Sequence, residues 1–423
     1  MVLKNIQEAE AALAKYIPMV KEMTGRDITL DRIRVLLAAV GNPHTRLRVI
    51  HVAGTSGKTS TAYYIASLLG ASGKKIGLTV SPHIDTITER VQVNSMPLAE
   101  AEFCGALGEF LDLIEAVAPE PSYFELLIAF AYWYFDKTGV DYAVVETGMG
   151  GLHDGTNIAA RADKVCVITD IGLDHTHILG TTVEEISAQK AGIIYPGNKA
   201  FMYGQAPAVN EVFIDYAQRQ GAELWLLDQS ELAQELGQPG LQDLPLYQQR
   251  NWLLARAASQ YVAERDGLEL SAGGIADSLA MQVPGRMDKI SVKGKTVIMD
   301  GAHNEQKIRA FVESFLKEYP AQRVPILLSL KQGKEYQSVL PLLKPICSQL
   351  VVTTFDVLQD LPSISIDPTV VAESAESLGF QNVQVVPDPN MAFRTLLELP
   401  GDLAVVTGSF YLLSCIRPGI INP

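Results

Sequence analysis

A glycine-rich turn near the start of the chain has the residue types that bind phosphate. The segment Gly54-Thr55-Ser56-Gly57-Lys58 follows a run of β-branched residues and precedes a helical pattern. In that context backbone N–H groups and the helix dipole attract an anion, and the Lys58 ammonium adds a point charge. The hydroxyl of Thr59 or Ser60 can reach a magnesium ion. The usual pattern begins with glycine where this chain has Val52, so the turn alone is an incomplete match.

Acidic and histidine residues follow two other apolar runs in the same half of the chain. Glu146 ends one run, and Asp170, Asp174 and His175 follow another. A carboxylate at the carboxyl end of a strand, beside a phosphate loop, is well placed for magnesium, directly or through water. The alternative for Glu146 is a residue that caps a glycine-rich turn. Histidines on a loop, such as His175 and His177, are more often surface features.

The second half of the chain has one cluster of this kind, Asp300-Gly-Ala-His303-Asn304, at the end of an apolar run. Asp300 can bind a ribose hydroxyl, His303 can lie over a ring, and Arg286 can reach a phosphate. The alternatives are an Asx turn in which Asn304 caps the next helix, and an ordinary surface arginine. Lys190 lies in a helical run, where the pattern alone indicates a solvated lysine.

Composition excludes several classes of partner. The net charge is −14 and basic tracts are absent from the sequence, so we expect neither nucleic acid nor a membrane surface as a partner. The four scattered cysteines form no metal-binding or redox spacing and indicate reduced core residues. The N-terminus lacks an apolar signal core, and no run of about 18 apolar residues occurs. These features predict a cytoplasmic protein.

The elements that position these residues alternate between strands and helices over 423 residues, which favours two domains. In the first part, strands are predicted at 49–54, 76–80, 141–147, 164–170, 199–203 and 223–228, with helices at 99–117, 123–137, 183–191, 247–264 and 272–281. In the second part, strands are predicted at 296–300, 325–330, 350–355, 383–386 and 403–407, with helices at 305–317, 335–343, 368–378 and 390–397. Continuous apolar strands indicate parallel sheets that are buried on both faces.

The predicted fold is therefore α/β, with an N-terminal P-loop-type doubly wound ATPase domain and a smaller C-terminal Rossmann-like domain. The turn Val283-Pro-Gly-Arg286 interrupts the alternation. It divides the chain into residues 1–285 and 286–423. Ligands of such folds bind beyond the carboxyl ends of the strands, so a cleft between the domains is the expected site.

Taken in order, the motifs resemble the folylpolyglutamate synthase/dihydrofolate synthase family, which belongs to the Mur ligase superfamily of ATP-dependent amide ligases. The resemblance covers nearly the whole chain. Its motifs are Asp27-Ile-Thr-Leu-Asp-Arg-Ile-Arg34, Gly41-Asn-Pro-His44, Val52-Ala-Gly-Thr-Ser-Gly-Lys58, Thr79-Val-Ser-Pro-His83, Thr88-Glu-Arg-Val-Gln-Val93, Tyr123-Phe-Glu125, Glu146-Thr-Gly-Met-Gly-Gly151, Asp154-Gly-Thr-Asn157, Asp174-His175, Lys190-Ala-Gly-Ile193, Asn251, Pro284-Gly-Arg286, Asp300-Gly-Ala-His-Asn304 and Val406-Thr-Gly-Ser-Phe-Tyr411.

The resemblance implies a role for each motif. It implies that ATP is bound by Thr55, Ser56, Gly57, Lys58, Thr59, Ser60, Asn251, Arg286, Asp300 and His303. It implies that two magnesium ions are held by Ser81, Glu146 and His175. It implies that folate is bound by Asp27, Ile28, Thr29, Leu30, Phe124, His153 and Asp154. It implies that the catalytic residues are Lys58, His175 and Lys190, and that Lys190 is carbamylated.

The implied reaction joins L-glutamate to the carboxylate of folate or pteroate at the expense of ATP, with these small molecules as the partners of a monomer. One departure concerns the acceptor, because relatives usually have arginine where this chain has Leu152, and His153 follows it. The alternatives are a Mur-type amino-acid ligase that acts on a cell-wall precursor, and a non-catalytic nucleotide-binding protein. A P-loop kinase is a weaker third interpretation.

Overall fold

The computed structural model describes residues 1–18, 29–117 and 121–421. They divide into two compact units, which confirms the predicted two-part α/β fold. Unit 1 contains Met1–His83, Ile87–Leu241 and Gln248–Met281. Unit 2 contains Ile84–Thr86, Gln242–Tyr247 and Gln282–Pro423. The functional division proposed after residue 285 stays a prediction.

Unit 1 contains an eight-stranded sheet. Its strands are β1 (Val49–Ala53), β2 (Ile76–Thr79), β3 (Gln92–Val93), β4 (Met96–Pro97), β5 (Tyr142–Glu146), β6 (Val165–Ile168), β7 (Lys199–Tyr203) and β8 (Glu223–Leu227). The spatial order is β4-β3-β2-β5-β1-β6-β7-β8. The strands from β2 to β8 in this order pair in parallel, and the two-residue strands β3 and β4 add an antiparallel edge.

Helices cover this sheet and extend the unit at its N-terminal side. They are α1 (Ile6–Ala14), α2 (Asp31–Ala39), α3 (Lys58–Gly70), α4 (Glu100–Leu113), α5 (Tyr123–Thr138), α6 (Thr176–Leu179), α7 (Val183–Ala191), α8 (Pro207–Gln220), α9 (Gln229–Leu236), α10 (Leu246–Asp266) and α11 (Ala272–Ala280). Short 3₁₀ turns occur at Pro43–Thr45, Ile87–Arg90 and Leu241–Asp243. None of the helices in the described part of the chain combines the length and apolar composition that crossing a bilayer requires.

Burial follows the position of each strand in the sheet. The central strands β1, β5 and β6 are buried along their whole length, as the apolar runs predict. The same prediction is wrong for β8, where Glu223, Trp225 and Leu226 are exposed. Because β8 is the last strand in the sheet order, it has a neighbour on one side only, and its apolar sequence does not reveal this edge position.

Helix α5 is the main packing element of unit 1. A capping box between Ser122 and Glu125 starts it, and Gly139 in the left-handed conformation ends it. Twelve of its sixteen residues are buried, and it packs against α2 and α4. The ring centroids of Phe103 and Phe130 lie 5.5 Å apart, in an edge-to-face arrangement. This core fixes the N-terminal helices against the sheet.

Unit 2 contains a six-stranded sheet and a two-stranded ribbon. Its strands are β9 (Asp288–Val292), β10 (Lys295–Asp300), β11 (Val324–Leu328), β12 (Cys347–Val352), β13 (Asp356–Leu358), β14 (Pro362–Ile364), β15 (Val383–Val385) and β16 (Leu403–Thr407). Its helices are α12 (Glu305–Glu318), α13 (Tyr336–Leu343), α14 (Pro368–Ser377), α15 (Pro389–Glu398), α16 (Phe410–Ile416) and α17 (Pro418–Ile421), with a 3₁₀ turn at Lys344–Ile346.

The six-stranded sheet has the order β15-β12-β11-β16-β10-β9. All neighbours pair in parallel except β9, which pairs antiparallel with β10 through a turn that contains Lys293 and Gly294. The sequence analysis missed β9. After the buried Asp288, its residues alternate between exposed and half-buried, as expected for an edge strand rather than for a buried parallel one.

Candidate active site

The carboxyl ends of four parallel strands in unit 1 bring the predicted residues to one edge of the sheet. Gly54 follows β1, Ser81 follows β2, Glu146 ends β5, and Asp170 follows β6. Strand β1 lies between β5 and β6, with Val52 opposite Glu146 in the register. The chain runs from β1 to β2 on one side of β1 and later crosses from β5 to β6 on the other side. Such a switch point is where α/β folds bind their ligands.

The turn after β1 approaches its neighbours so closely that it requires glycine twice. A Cβ atom on Gly54 would lie 1.8 Å from Thr169 Oγ1, and one on Gly57 would lie 2.3 Å from Asn251 Oδ1. Gly57 also has a φ of 92°, in the left-handed region, and directly precedes α3. The side chain of Asn251 from α10 therefore lies against the turn, as expected for one of the predicted ATP-binding residues.

The N–H groups of Thr55 and Ser56 have an acceptor within the chain. Both donate to the carbonyl oxygen of Asp170, at 2.8 and 3.1 Å. The Thr55 hydroxyl donates to Gly172 O at 3.0 Å and accepts from Gly172 N at 3.1 Å. The predicted roles of Thr55 and Ser56 in binding phosphate stay predictions, and both N–H groups already have an acceptor within the chain. In an α-helix the first-turn N–H groups lack acceptors within the helix, so the donors at the start of α3 are of the kind that can bind an anion.

Two lysine ammonium groups converge on one carbonyl oxygen of the turn. Lys58 Nζ lies 3.2 Å from Gly54 O, and Lys190 Nζ lies 2.8 Å from the same atom. Lys190 is only 4% exposed. The interpretation of Lys190 as a solvated helix lysine is therefore wrong, because the helical pattern does not show that α7 directs this residue into the site.

Oxygen atoms of the type that magnesium prefers meet at Glu146. Thr59 Oγ1 donates to Glu146 Oε1 at 2.8 Å, and Ser81 N donates to Glu146 Oε2 at 3.1 Å. Glu146 is 2% exposed. A buried carboxylate with adjacent hydroxyl residues fits a hard cation with oxygen ligands. Within the described residues no group of three or more His, Cys, Asp or Glu residues forms a metal cluster, so the fit concerns this mixed set.

The two hydroxyl residues that the sequence left as alternatives differ in position. Thr59 reaches the Glu146 carboxylate. Ser60 is completely buried, and its hydroxyl has no hydrogen-bond partner among the described residues. Thr59 is therefore the hydroxyl residue that the structure places beside the carboxylate.

The loop that contains His175 is exposed. His175 has a φ of 51° and directly precedes α6. Its Nε2 lies 3.9 Å from Asp174 Oδ1, and its ring centroid lies 6.4 Å from that of His177. A metal role for His175 stays a prediction.

The predicted folate residues Phe124 and Asp154 come together beside Gly148. A Cβ atom on Gly148 would lie 2.5 Å from Phe124 Cζ and 3.2 Å from Asp154 Oδ2. The Asp154 carboxylate is buried and accepts hydrogen bonds from Met149 N at 2.7 Å and Thr156 N at 3.0 Å. Burial raises the pKa of Asp154, while these hydrogen bonds oppose the shift.

The other predicted folate residues have different surroundings. Leu30 is buried in the hydrophobic core of unit 1 directly before α2, and Thr29 Oγ1 accepts from Asp31 N at 3.4 Å. His153 is exposed. Asp27 and Ile28 lie outside the described residues.

The predicted nucleotide residues of unit 2 surround the end of β10. Asp300 is 3% exposed and accepts hydrogen bonds from Tyr247 Oη at 2.6 Å and from the backbone N–H groups of Met287 and Ala302, each at 2.9 Å. Burial is the main cause that raises its pKa, and the Arg286 guanidinium is among the groups that lower it. An acceptor position on the carboxylate remains for a ribose hydroxyl.

Arg286 and His303 share an aromatic neighbour. The Arg286 guanidinium lies 3.9 Å from the ring centroid of Phe410, and the His303 ring packs edge-on against the same ring. His303 Nδ1 lies 2.8 Å from Gly301 O, and Lys307 Nζ lies 3.0 Å from His303 Nε2. A carbonyl only accepts and an ammonium only donates, so His303 carries its proton on Nδ1.

Sequence reasoning missed several polar residues that support this edge of the sheet. Arg250 binds the carboxylate of Asp170, with Nη2 2.7 Å from Oδ1 and Nε 3.0 Å from both oxygens. His51, in the middle of β1, contacts Thr147 and Thr156. The one available signal for His51 is a histidine within an otherwise apolar strand.

Comparisons with known proteins agree with this geometry. Residues 285–410 match the family model described as Mur ligase, glutamate ligase domain. The chain is 31% identical to the dihydrofolate synthetase of Saccharomyces cerevisiae, over 91% of this chain and 96% of that protein. It is 32% identical to the dihydrofolate synthase/folylpolyglutamate synthase of Escherichia coli, over 82% of each.

Among solved structures, the folylpolyglutamate synthase of Mycobacterium tuberculosis complexed with ADP superposes with a TM-score of 0.84 and 26% identity. That match covers 99% of this chain and 98% of the other. These relatives are matched over 82% or more of their length, so the similarity extends over both parts of the chain rather than one domain. The chain belongs to the folylpolyglutamate synthase/dihydrofolate synthase family.

Proposed function

We propose that this protein is an ATP-dependent ligase that adds L-glutamate to the carboxylate of a folate or pteroate through an acyl phosphate. Enzymes of its family are ligases of this kind. The observation that supports the proposal best is the convergence of Lys58, Lys190 and the Thr59–Glu146 pair at one edge of the sheet. That edge offers cations, helix N–H groups and oxygen ligands from segments that are distant in the sequence.

The reaction needs ATP because a carboxylate is a poor acyl donor. A carboxylate oxygen of the acceptor attacks the γ-phosphorus, and the bond from that phosphorus to the β–γ bridging oxygen breaks to release ADP. The neutral amine of glutamate then attacks the acyl carbon. The tetrahedral intermediate loses inorganic phosphate, and the nitrogen loses a proton to leave the amide. Protein groups contribute mainly by positioning and by neutralising charge.

Different residues of the site bind the phosphates and the magnesium ion. Lys58 and the first turn of α3 bind the β- and γ-phosphates. Thr59, Ser81 and Glu146 hold a magnesium ion, which when bound neutralises the oxygens of the transferred group. We include a second ion near His175 and carbamylation of Lys190 in the proposal. The support for Lys190 is its burial and its position beside Gly54.

The other predicted residues complete the proposal. Asn251, Arg286, Asp300 and His303 contact the nucleotide. Phe124 and Asp154 contact the acceptor, because the partly buried Phe124 ring and the buried Asp154 carboxylate lie together at the glycine-rich loop after β5. The monomeric state and the cytoplasmic location expected from the sequence stay predictions.

ADP formation tests the proposal directly. We expect ATP turnover that requires both L-glutamate and an acceptor, with dihydropteroate and tetrahydrofolate supplied separately. The acceptor carboxyl carries ¹⁸O, which has to appear in the released phosphate if an acyl phosphate forms. Lys58→Ala, checked for folding by circular dichroism, is expected to abolish turnover.

Each alternative predicts another result. A non-catalytic nucleotide-binding protein binds ATP in calorimetry without releasing phosphate. A Mur-type ligase turns over only with a UDP-linked precursor. Turnover without transfer of ¹⁸O to phosphate would exclude the acyl phosphate.

A further inference from the structure

A chain of buried polar groups runs from the middle of β1 to the loop that carries Asp154. His51 is completely buried, and its Nε2 lies 2.9 Å from Thr156 Oγ1 and 3.0 Å from Thr147 Oγ1. Thr156 is also completely buried, and its hydroxyl is hydrogen-bonded to Asp154 Oδ1. The strand that leads to the phosphate turn (Gly54–Lys58) is therefore joined through side chains to the loop after Glu146.

The proton positions in this chain follow from counting donors. The Thr156 hydroxyl has one proton, and the adjacent Asp154 carboxylate only accepts, so this proton lies toward Asp154. Thr156 Oγ1 can then only accept from His51, which requires a proton on His51 Nε2. Burial foremost, and then the charge of Lys164, lower the pKa of His51 well below its usual value, so the imidazole is neutral. The relay is His51 Nε2–H to Thr156 O–H to the Asp154 carboxylate.

The hydrogen bonds of this relay offset part of the free-energy cost of burying the ionised Asp154 carboxylate. Asp154 is 7% exposed, and burial favours its protonated form. The two hydrogen bonds that Oδ1 accepts from Thr156, and the one that Oδ2 accepts from Met149 N, favour the ionised form. They also fix the plane of the Asp154 carboxylate, which lies next to Gly148 and near the Phe124 ring.

We propose that His51 and Thr156 are positioning residues that hold Asp154 ionised and oriented for the folate or pteroate acceptor. Neither residue contacts the phosphate turn in the hydrogen bonds described above. They therefore set the affinity for the acceptor and leave the affinity for ATP unchanged. This inference rests on the proposed function, which assigns Asp154 to the acceptor side of the site.

Thr156 offers a matched pair of substitutions. Thr156→Val keeps the shape of the side chain and removes the hydroxyl, whereas Thr156→Ser keeps the hydroxyl. We expect Thr156→Val to raise the KM for dihydropteroate or tetrahydrofolate about 10- to 100-fold, the range that corresponds to losing a hydrogen bond to a charged group. The KM for ATP is expected to change less than about 2-fold, and Thr156→Ser is expected to restore the acceptor KM.

Two further variants complete the design. His51→Leu removes the donor at the start of the relay, and we expect it to raise the acceptor KM as Thr156→Val does. Thr353→Val in unit 2 is the control, because it removes an equally buried threonine hydroxyl, whose Oγ1 donates to Pro387 O at 3.0 Å. The control is expected to leave both KM values unchanged. If the His51→Leu variant does not fold, the comparison of Thr156→Val with Thr156→Ser tests the inference.

Asp154→Asn separates failure of this inference from failure of the proposed function. If Asp154→Asn leaves the acceptor KM unchanged, the assignment of Asp154 to the acceptor is wrong. If Asp154→Asn raises the acceptor KM while Thr156→Val does not, the relay is wrong and the assignment stands. Equal effects of Thr156→Val on the KM for ATP and for the acceptor would also overturn the inference, because they indicate a general loss of structure. Titration of the intrinsic fluorescence of dihydropteroate provides the same comparison for variants without turnover.

Discussion

The Lys190 ammonium donates a 2.8 Å hydrogen bond to the carbonyl oxygen of Gly54, which lies 136 residues earlier in the chain. This contact joins the last turn of α7 to the start of the phosphate turn. It places a buried cation where the transferred phosphoryl group is proposed to lie. A lysine in this position can act as an ammonium that holds the turn, or as a carbamate that contributes an anion to a metal site.

The first prediction separates these two forms of Lys190. We expect Lys190→Ala to lower turnover at least about 100-fold, because one transition-state contact typically contributes that much. A short carboxylic acid such as formate or acetate is expected to restore part of the rate, since it replaces the anion of a carbamate. The measurement is glutamate-dependent ADP formation at increasing concentrations of each additive.

Ethylamine provides the opposite test, because it replaces an ammonium. Rescue by ethylamine and not by the acids would show that Lys190 acts as an ammonium and would exclude carbamylation. Lys317→Ala is the control, because Lys317 is an exposed lysine in the last turn of α12. It is expected to retain the rate without any additive.

The second prediction concerns the support that α10 gives to the turn. Arg250 binds the Asp170 carboxylate, and the Asp170 carbonyl oxygen accepts from the N–H groups of Thr55 and Ser56. Arg250→Ala is expected to raise the KM for ATP about 5- to 10-fold, the effect of losing about 1 to 1.4 kcal/mol of binding energy. Steady-state kinetics with varied ATP measure this.

A double-mutant cycle with Asp170→Asn tests the mechanism. We expect the second substitution to add little once the first is made, because both break the same pair. Arg219→Ala is the control, because Arg219 forms an exposed ion pair with Asp215 within α8. Fully additive effects of the two substitutions on the KM for ATP would show that Arg250 affects ATP binding through contacts other than its ion pair with Asp170.

The third prediction concerns magnesium. Glu146→Gln keeps the size of the side chain and removes the charge, so the magnesium concentration needed for half-maximal turnover should rise by roughly 10- to 100-fold or more. Thr59→Ala is expected to raise it less, and Thr59→Ser is expected to restore it, because the hydroxyl of residue 59 reaches Glu146. Magnesium titration of ADP formation measures each variant. An unchanged magnesium requirement in Glu146→Gln would remove this residue from the metal site.

The sequence predicted the sheets well, because their central strands are continuous apolar runs bounded by turn residues. β1, β5 and β6 are buried along their length, and each ends where the chemistry-bearing residues begin. Prediction failed at the edges. β8 is exposed and β9 is antiparallel, and both properties depend on which strand lies alongside rather than on the strand itself.

The sequence could identify candidate residues where the residue type and a position at the end of a strand are enough to suggest a role, as for Lys58 and Glu146. It could not predict the contacts of Arg250 and His51, because their partners are distant in sequence and local patterns do not indicate which residues pair. Lys190 shows the same limit, since helix periodicity does not tell which face of α7 is buried by a turn 136 residues away. Tertiary contact, rather than local propensity, gives these residues their roles.

The last prediction concerns the stability of unit 1 at high pH. Lys164 directly precedes β6 and is 1% exposed, and its Nζ lies 4.1 Å from the ring centroid of Tyr195, without a hydrogen-bond acceptor among the described residues. Burial lowers the pKa of Lys164 from 10.5 to about 8. Below pH 8 the ammonium is charged in both folded and unfolded states, so the folded state bears the full cost of burying it.

Between pH 8 and 10.5 the folded state releases this proton while the unfolded state retains it. The unfolded state then binds more protons, so this group makes the free energy of unfolding rise with pH across that window. We expect Lys164→Met to stabilise the protein at pH 7 by about 1 to 3 kcal/mol, with the advantage shrinking by pH 10. Urea unfolding of the variant and of the natural chain at both pH values measures this. A Lys164→Met variant that is less stable than the natural chain at pH 7 would show that the contact with the Tyr195 ring outweighs the cost of burial.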